Sequence, residues 1–319
     1  MSAHSLGAYR IVVRMRSAKT LLVEGVSDKA VMHRLLLGLD GSSKPVIDTP
    51  ELLRDERLSG LGNRAKVTAA ATEIGDCSNF LALTDREWDE FDDSTYAHRD
   101  LGHPPQIGCP RTLTTLGHSM ENYFADEETF VSYLRRNYAG DISAGALRLV
   151  REKFANTAQL GLAFSLAARD QNLLSILDGL PARADLGVSD AGFDLKTSFA
   201  DALASRAVSD ARARSFVLLV AEYQSKIVDA GVAASVAKWA LHGHAGSQIA
   251  WSCIARLLQE TGVSSDVCDQ VERGRAKEKL LHGADRLAAN EDEGRPLHWI
   301  AHWLDGSISG GASGNDDPP

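Results

Sequence analysis

Over the first 140 residues, short apolar runs alternate with stretches in which apolar residues recur at helical spacing. The apolar runs predict strands over 10–16, 20–25, 45–49, 80–85 and 111–117, and the stretches between them predict helices over 27–39 and 63–74. Alternation of this kind is typical of an α/β fold with a mainly parallel sheet flanked by helices. We therefore predict that fold class for the first part of the chain.

Beyond residue 140 the apolar spacing is mostly helical, and strand patterns are hard to find. Helices are predicted over 143–157, 160–178, 195–206, 209–230, 247–261 and 276–289. The last stretch, from Gly306, is rich in Gly and Ser, and we expect it to be disordered. The predicted organisation is an α/β domain over 1–140, a mostly α-helical domain over 141–305 and a tail over 306–319.

The overall composition is that of an ordinary globular protein. The 319 residues are 44% hydrophobic and 24% charged, and the formal net charge is −9. This charge argues against a broad basic surface that binds nucleic acid without specificity. It leaves open a local basic groove, or a carboxylate-rich site that meets phosphates through divalent metal ions.

Cysteine usage and the termini indicate the compartment. None of the four cysteines, Cys77, Cys109, Cys253 and Cys268, belongs to a CxxC pair. A zinc site or a disulfide framework is therefore not expected, and a reducing cytosol fits best. The sequence has no signal-peptide pattern and no apolar run of membrane-spanning length, so we expect a cytoplasmic protein without membrane partners.

Two predicted strands end in acidic residues. Glu24 ends "LLVEG", and Asp85 follows "FLALT" and begins a run that includes Glu87 and Asp89. The carboxyl ends of parallel strands share one edge, where open α/β sheets place their ligands. If the chain stays extended beyond Asp85, the side chains of residues 85 and 87 point the same way. Several carboxylates at one edge repel one another unless a divalent cation neutralises them, and oxygen ligands suit Mg²⁺ or Mn²⁺.

The residues alone leave plainer interpretations open. A strand-end acid can be a surface charge, and the run "DREWDEFDD" can be a solvated acidic loop. Asp28 lies in the first turn of a predicted helix, where a carboxylate interacts favourably with the helix dipole. Lys29 and Lys66, also near helix starts, are candidates to meet a phosphate or simply solvated cations. His118, His242 and His244 could act as acids or bases near neutral pH, although lone histidines are more often structural.

The order of these motifs resembles the Toprim domain, the metal-binding fold of topoisomerases, bacterial primases and OLD-type nucleases. The resemblance covers roughly residues 18 to 125. "LLVEGVSDKAVMHRLL" is similar to its first motif and "LALTDREWDEF" to its second, with Asp-x-Glu in place of the usual Asp-x-Asp. "HSMENYFADEETF" (118–130) resembles the Glu-Asn-Tyr signature of an uncharacterised Toprim-like family. That family is found beside ABC-type ATPases in bacterial anti-phage loci and includes the nuclease effector of the PARIS system. "ALHGHAGSQIAWSCIARLL" (240–258) resembles a Gly-His segment of the same family.

The resemblance implies a metal-dependent nuclease that cleaves phosphodiester bonds of tRNA or DNA. Glu24, Asp85 and Glu87 would be catalytic and, together with Asp89, would hold Mg²⁺ or Mn²⁺. The residues expected around them are Asp28, Lys29, Lys66, Glu121 and Asn122. The protein would be a toxic effector of anti-phage defence, controlled by a partner ABC-type ATPase, and its helical domain would bind that partner or form a homodimer.

Two alternatives remain. One is a catalytically inactive Toprim-fold module that regulates a partner ATPase. The other is a phosphotransfer or primase-like enzyme, which is disfavoured because the chain has no zinc-binding CxxC motif.

Overall fold

A computed structural model describes residues 3–37, 44–75, 77–99, 111–190, 192–289 and 295–306. Cys109 and the predicted disordered tail beyond Gly306 lie outside these residues. The chain forms two compact units. The first comprises the described parts of Met1–Arg86, Gly102–Leu116 and Ala284–Pro319, and the second comprises those of Glu87–Leu101 and Gly117–Gly283.

The first unit is built on a four-stranded sheet in which every strand pair is parallel. The spatial order is β2-β1-β3-β6, and the strands are β1 (Thr20–Leu22), β2 (Val46–Asp48), β3 (Phe80–Thr84) and β6 (Thr112–Thr114). All five residues of β3 are buried, as expected for a central strand of a parallel sheet. This confirms the predicted fold class, and four of the five predicted strands are present.

The helices of the first unit include one that we predicted as a strand. They are α1 (Leu6–Met15), α2 (Val26–Leu37), α3 (Asn63–Ile74) and α12 (Arg295–Asp305), with short 3₁₀ turns at Pro50–Leu52 and Glu56–Leu58. The prediction of a strand over 10–16 is wrong. Leu6, Tyr9 and Val13 recur at helical spacing and are buried, and the Ser5 side chain caps the helix by accepting from the backbone N–H of Ala8.

Helix α12 belongs to the first unit, whereas the predicted boundary assigned residues 141–305 to a separate helical domain. The indole N–H of Trp303 donates to the Ser78 carbonyl (3.3 Å), and the Lys19 ammonium donates to the carbonyls of Trp303 and Leu304. Lys19 precedes β1 and Ser78 precedes β3, so α12 lies at the amino end of the sheet. The prediction of a single boundary near residue 140 therefore does not describe the two units, because the chain returns to the first unit after residue 283.

The second unit is mostly helical, with two small antiparallel hairpins. Its elements are β4 (Phe91–Asp92), β5 (Ala97–His98), α4 (Glu127–Asn137), α5 (Ala144–Asp170), β7 (Leu186–Ser189), β8 (Gly192–Leu195), α6 (Phe199–Ala204), α7 (Asp210–Asp229), α8 (Ala234–Ala237), α9 (Gly243–Glu260), α10 (Ser265–Arg273) and α11 (Ala276–Ala288), of which residues 284–288 fall in the first unit. Short 3₁₀ turns lie at Met120–Phe124, Leu174–Ile176, Arg183–Asp185 and Lys238–Ala240.

Helix α5 is the centre of the second unit, and it corrects the prediction of separate helices over 143–157 and 160–178. Its residues from Leu160 to Ala168 are buried all round, because α7 and α9 pack against it from different sides. The helix predicted over 195–206 begins only at Phe199, since Leu195 belongs to the hairpin of β7 and β8. Among the described residues, no helix has the length and apolar character needed to cross a bilayer.

Candidate functional site

Glu24 and Asp85 lie at the carboxyl ends of two neighbouring parallel strands. In the register of β1 and β3, Leu22 pairs with Ala82, and each acid follows within three residues. The backbone N–H of Asp85 donates a hydrogen bond to Oε1 of Glu24, at 2.8 Å. Both residues are half-buried. The structure thus brings the Glu24 carboxylate to the start of the Asp85 segment, although the two residues are 61 positions apart in the chain.

The chain after Glu24 turns directly into helix α2. A Cβ atom on Gly25 would lie 3.3 Å from Oδ2 of Asp28, so a glycine here leaves room for that carboxylate beside the helix start. The backbone N–H of Lys29 donates to the Gly25 carbonyl at 3.0 Å and begins the helical hydrogen bonding. Asp28 therefore lies in the first turn of α2, where a carboxylate interacts favourably with the helix dipole. This is the structural role that the sequence left open for it.

Lys29 and Lys66 are half-buried and lie in the first turns of α2 and α3. Each of these helices connects two parallel strands of the sheet, so it starts at the edge where strands end. Helix α3 begins after Gly62, whose carbonyl accepts from the backbone N–H of Lys66 at 3.1 Å. Two helix N-termini and two lysines thus belong to the same edge as Glu24 and Asp85, which favours binding of anions.

The donor chemistry at this edge fits Mg²⁺ or Mn²⁺. Within the described residues, no group of three or more His, Cys, Asp or Glu side chains could hold a metal ion. Mg²⁺, however, is often bound through one or two carboxylates, with waters and substrate phosphates completing its octahedral shell. Glu24 and Asp85 supply two such carboxylates, so they suit an ion that is shared with a phosphate.

Glu87 and Asp89 do not continue an extended strand, which corrects the expectation that residues 85 to 89 alternate along one. Residues 87–90 form a turn, and Glu87 and Glu90 have positive φ angles of 55° and 58°. Glu87 and Asp89 are exposed and belong to the second unit. The backbone N–H of Glu87 donates to the His118 carbonyl at 2.7 Å. That these two acids share an ion with Glu24 stays a prediction.

Asn122 joins two distant segments of the second unit. Its Oδ1 accepts from the backbone N–H of Ser119 (2.6 Å), and its Nδ2 donates to the carbonyls of Lys238 (2.6 Å) and Leu241 (2.9 Å). The side chain is 1% exposed, so these bonds replace water completely. Asn122 is therefore a structural residue that holds the 238–241 segment against the 119–124 segment.

This junction places Glu121 beside the start of helix α9. Oε1 of Glu121 lies 3.7 Å from Nδ1 of His244, and the two side chains are 15% and 82% exposed, respectively. A Cβ atom on Gly243 would lie 2.8 Å from Oε2 of Glu121 and even closer to the Ser119 hydroxyl. Only a glycine at position 243 therefore allows this close approach.

His242 lies next to the same pair. Burial lowers the pKa of its imidazole, and the charge of His244 lowers it further, while Glu121 and Glu87 oppose the shift. Its backbone N–H donates to the Ser165 hydroxyl at 3.0 Å, and its ring centroid is 4.8 Å from that of His118. The sequence identified these histidines one by one but did not predict that His244 meets Glu121 or that His242 packs against His118. A signal for this meeting was present in the sequence, because the segments 118–130 and 240–258 both resemble segments of the same family.

Comparison with known proteins adds no relative: no family model matches the chain, and no curated protein matches it.

Proposed function

We propose that this protein is a metal-dependent nuclease that hydrolyses phosphodiester bonds of nucleic acid. The observation that carries the proposal is the pair Glu24 and Asp85, held together at the carboxyl edge of adjacent parallel strands. The order of acidic motifs that resembles the Toprim domain supports it further. Both point to phosphate chemistry at a sheet edge.

Glu24 and Asp85 would hold Mg²⁺ or Mn²⁺, which supplies charge neutralisation and a more acidic bound water when present. The hydrogen bond from the Asp85 backbone fixes the orientation of the Glu24 carboxylate before substrate arrives. Preorganised charge of this kind need not reorient during the reaction. Lys29 and Lys66 lie in the first turns of α2 and α3, and their positive charges would attract the substrate's phosphate groups to this edge.

A cleavage assay with Mg²⁺ or Mn²⁺ tests this proposal. The purified protein is incubated with tRNA, single-stranded DNA and duplex DNA, and its Glu24→Gln and Asp85→Asn variants are compared with the wild type. We expect each substitution to reduce cleavage about 100-fold or more, the usual scale of the loss when one preorganised electrostatic group is removed. Both substitutions conserve size, so circular dichroism should show an unchanged fold.

The matched control is Glu51→Gln, which removes an exposed acid of the same unit and should leave cleavage unchanged. Wild-type rates in the Glu24→Gln variant would overturn the assignment of Glu24. A wild-type protein that cleaves none of these substrates with either metal would overturn the nuclease itself.

The resemblance also supports a biological setting for this activity. In that setting the protein is a cytoplasmic effector of anti-phage defence that an ABC-type ATPase holds inactive, and tRNA or DNA is its substrate. Affinity purification from the native host tests the partnership. Recovery of an ATPase together with the protein supports it, whereas recovery of a fully active protein alone contradicts it.

A second candidate function is a catalytically inactive module that regulates a partner ATPase. The turn over residues 87–90 favours it, because an acid-x-acid pair presents both side chains to one side only when the chain is extended. The same cleavage assay separates the two functions. Partner binding without cleavage in either metal would favour the module.

A further inference from the structure

Thr115, the residue that follows β6, is bonded to both chain neighbours of Asp85. Its backbone N–H donates to the Thr84 carbonyl at 2.9 Å, and its hydroxyl oxygen accepts from the backbone N–H of Arg86 at 3.0 Å. The Arg86 side chain returns to the same residue, since its Nε donates to the Thr115 carbonyl at 3.1 Å. Thr115 is 1% exposed and Arg86 is 7% exposed, so water does not compete effectively for these bonds.

The Thr115 hydroxyl takes the place of a backbone acceptor at the end of the sheet. Strands β3 and β6 pair in parallel with Thr84 opposite Thr114, and the bond from Thr115 to Thr84 continues this pairing by one step. In a parallel ladder the next bond would run from the Arg86 N–H to the Thr115 carbonyl. Here the N–H donates to the hydroxyl instead, and the carbonyl accepts from the Arg86 side chain. The chain therefore leaves the ladder immediately after Asp85.

Both peptide groups that flank Asp85 are fixed by these bonds. The group before it is held at the Thr84 carbonyl by Thr115 and at the Asp85 N–H by the Glu24 carboxylate. The group after it is held at the Arg86 N–H by the Thr115 hydroxyl. The backbone of Asp85 is thus oriented from β1 on one side and from the end of β6 on the other, which leaves its side-chain torsions to adjust to a ligand.

We propose that Thr115 is a positioning residue for the metal site, and that its hydroxyl orients the segment from which the Asp85 carboxylate reaches the ion. Strand pairing brings Asp85 to the edge of the sheet, and the hydroxyl sets the direction in which the chain leaves that edge. The proposal rests on the metal-dependent function proposed above and adds to it a residue that does not itself touch the ion. All the residues concerned belong to the first unit.

Binding of Mn²⁺ to the protein without substrate, measured by electron paramagnetic resonance, tests this role. Thr115→Val replaces the hydroxyl with a methyl group and should weaken Mn²⁺ binding about 10-fold or more, the usual scale for losing a group that orients a metal ligand. Thr115→Ala removes the hydroxyl without placing a methyl group against the Arg86 N–H, and it should weaken binding similarly. Thr115→Ser keeps the hydroxyl and should bind Mn²⁺ as the wild type does.

The matched control is Thr114→Val, which changes the preceding, half-buried threonine of β6 and should leave Mn²⁺ affinity unchanged. Circular dichroism and urea unfolding establish that each variant is folded at the temperature of the binding assay. The ladder between β3 and β6 does not use the Thr115 hydroxyl, so we expect every variant to fold.

Amide hydrogen exchange of the metal-free protein, followed by NMR, gives a second readout that does not involve the ion. In Thr115→Val the Arg86 amide should exchange about 5- to 10-fold faster, the scale of one lost hydrogen bond, while the Leu81 amide within β3 keeps its wild-type rate. Thr115→Ser should exchange as the wild type. A general loss of stability would instead accelerate both amides together.

The outcomes separate this proposal from the proposed function. Wild-type Mn²⁺ affinity in a folded Thr115→Val protein overturns the positioning role and leaves the metal site standing, as does equal weakening in Thr115→Ser and Thr115→Val. Mn²⁺ binding that is absent from the wild type, or unchanged in Asp85→Asn, overturns the metal site and the role of Thr115 together.

Discussion

The two candidate sites of this protein are assembled in different ways. In the first unit, Glu24 and Asp85 meet because the backbones of β1 and β3 pair in parallel, and the bond between them uses the Asp85 backbone. In the second unit, Glu121 and His244 meet because one buried side chain, Asn122, bonds to carbonyls 116 and 119 positions away. Backbone pairing of strands positions the residues of the first site, and the side-chain hydrogen bonds of one residue position those of the second.

This difference determines how each site should respond to substitution. Strand pairing does not depend on any single side chain, so the edge holding Glu24 should tolerate conservative changes there. A buried amide that satisfies several backbone groups has no substitute, since its loss leaves those groups without partners. Substitution of Asn122 should therefore disrupt the second site by destabilising the fold. Conservative substitution of Glu24 should leave the fold of the first site intact and affect only its chemistry.

Asn122→Asp should cause the largest effect. The substitution replaces the Nδ2 donor with a carboxylate oxygen that faces the carbonyls of Lys238 and Leu241, in a position that is 1% exposed. Two lost hydrogen bonds and a buried charge should lower the free energy of unfolding by about 3 to 5 kcal/mol. Urea unfolding followed by tryptophan fluorescence measures this, because Trp239 lies within the bridged 238–241 segment and its ring packs against Tyr123.

The matched control is Asn137→Asp. Asn137 is half-buried and donates one bond, to the Tyr133 carbonyl at 2.9 Å, so its substitution should cost only about 1 kcal/mol. Equal losses in the two variants would mean that Asn122 is an ordinary hydrogen-bonded residue rather than the link that forms the second site.

The same contrast explains what the sequence could predict. The ends of β1 and β3 were placed at one edge correctly, because a parallel sheet brings strand ends together whatever the intervening chain does. Helix α3 was predicted at its observed bounds, Asn63–Ile74, since its apolar spacing and the glycine before it are local signals. Local patterns sufficed for these features.

Features that depend on contacts between distant residues were missed. The run of β-branched residues in α1 favours a strand locally, and only burial of Tyr9 and Val13 on one side makes it a helix. The return of α12 to the first unit depends on the bond from Lys19 to the Trp303 carbonyl, more than 280 positions away. The meeting of Glu121 with His244 depends on Asn122. The helical spacing of Leu6, Tyr9 and Val13 was a signal for α1, but periodicity carries none for the contacts of Lys19 or Asn122.

A second prediction concerns the pH dependence of the second unit, where Lys279 is buried. Its ammonium group donates to the Val271 carbonyl at 2.6 Å and lies 4.3 Å from the centre of the Trp251 ring. Burial lowers the pKa of Lys279 to about 8. Between this value and the unfolded value of about 10.4, the unfolded chain binds a proton that the folded protein does not, so folding becomes more favourable as pH rises.

Over the window from pH 8 to 10.4, Lys279 should add roughly 2 to 3 kcal/mol to the free energy of unfolding. Urea titrations at several pH values measure this as a difference from Lys279→Met, in which the rise should be absent. Lys277→Met changes an exposed lysine of the same helix and should behave as the wild type. Parallel curves for wild type and Lys279→Met would show that this lysine keeps its ordinary protonation in the fold.

The smallest expected effect is that of Glu24→Gln on stability. This substitution tests whether the Glu24 carboxylate serves the chemistry of the first site without contributing to the stability of the fold. The Gln carbonyl oxygen can still accept from the backbone N–H of Asp85, so the bond observed at 2.8 Å is retained. We therefore expect the metal-free variant to match the wild type within about 0.5 kcal/mol in urea unfolding. Glu24→Ala, which leaves the Asp85 N–H without this acceptor, should instead lose about 1 kcal/mol.

Added Mg²⁺ should stabilise the wild type and not Glu24→Gln, since binding to the folded state alone shifts the unfolding equilibrium. A loss of several kcal/mol in Glu24→Gln would show that this carboxylate is a structural residue and that the first site depends on a side chain as much as the second does.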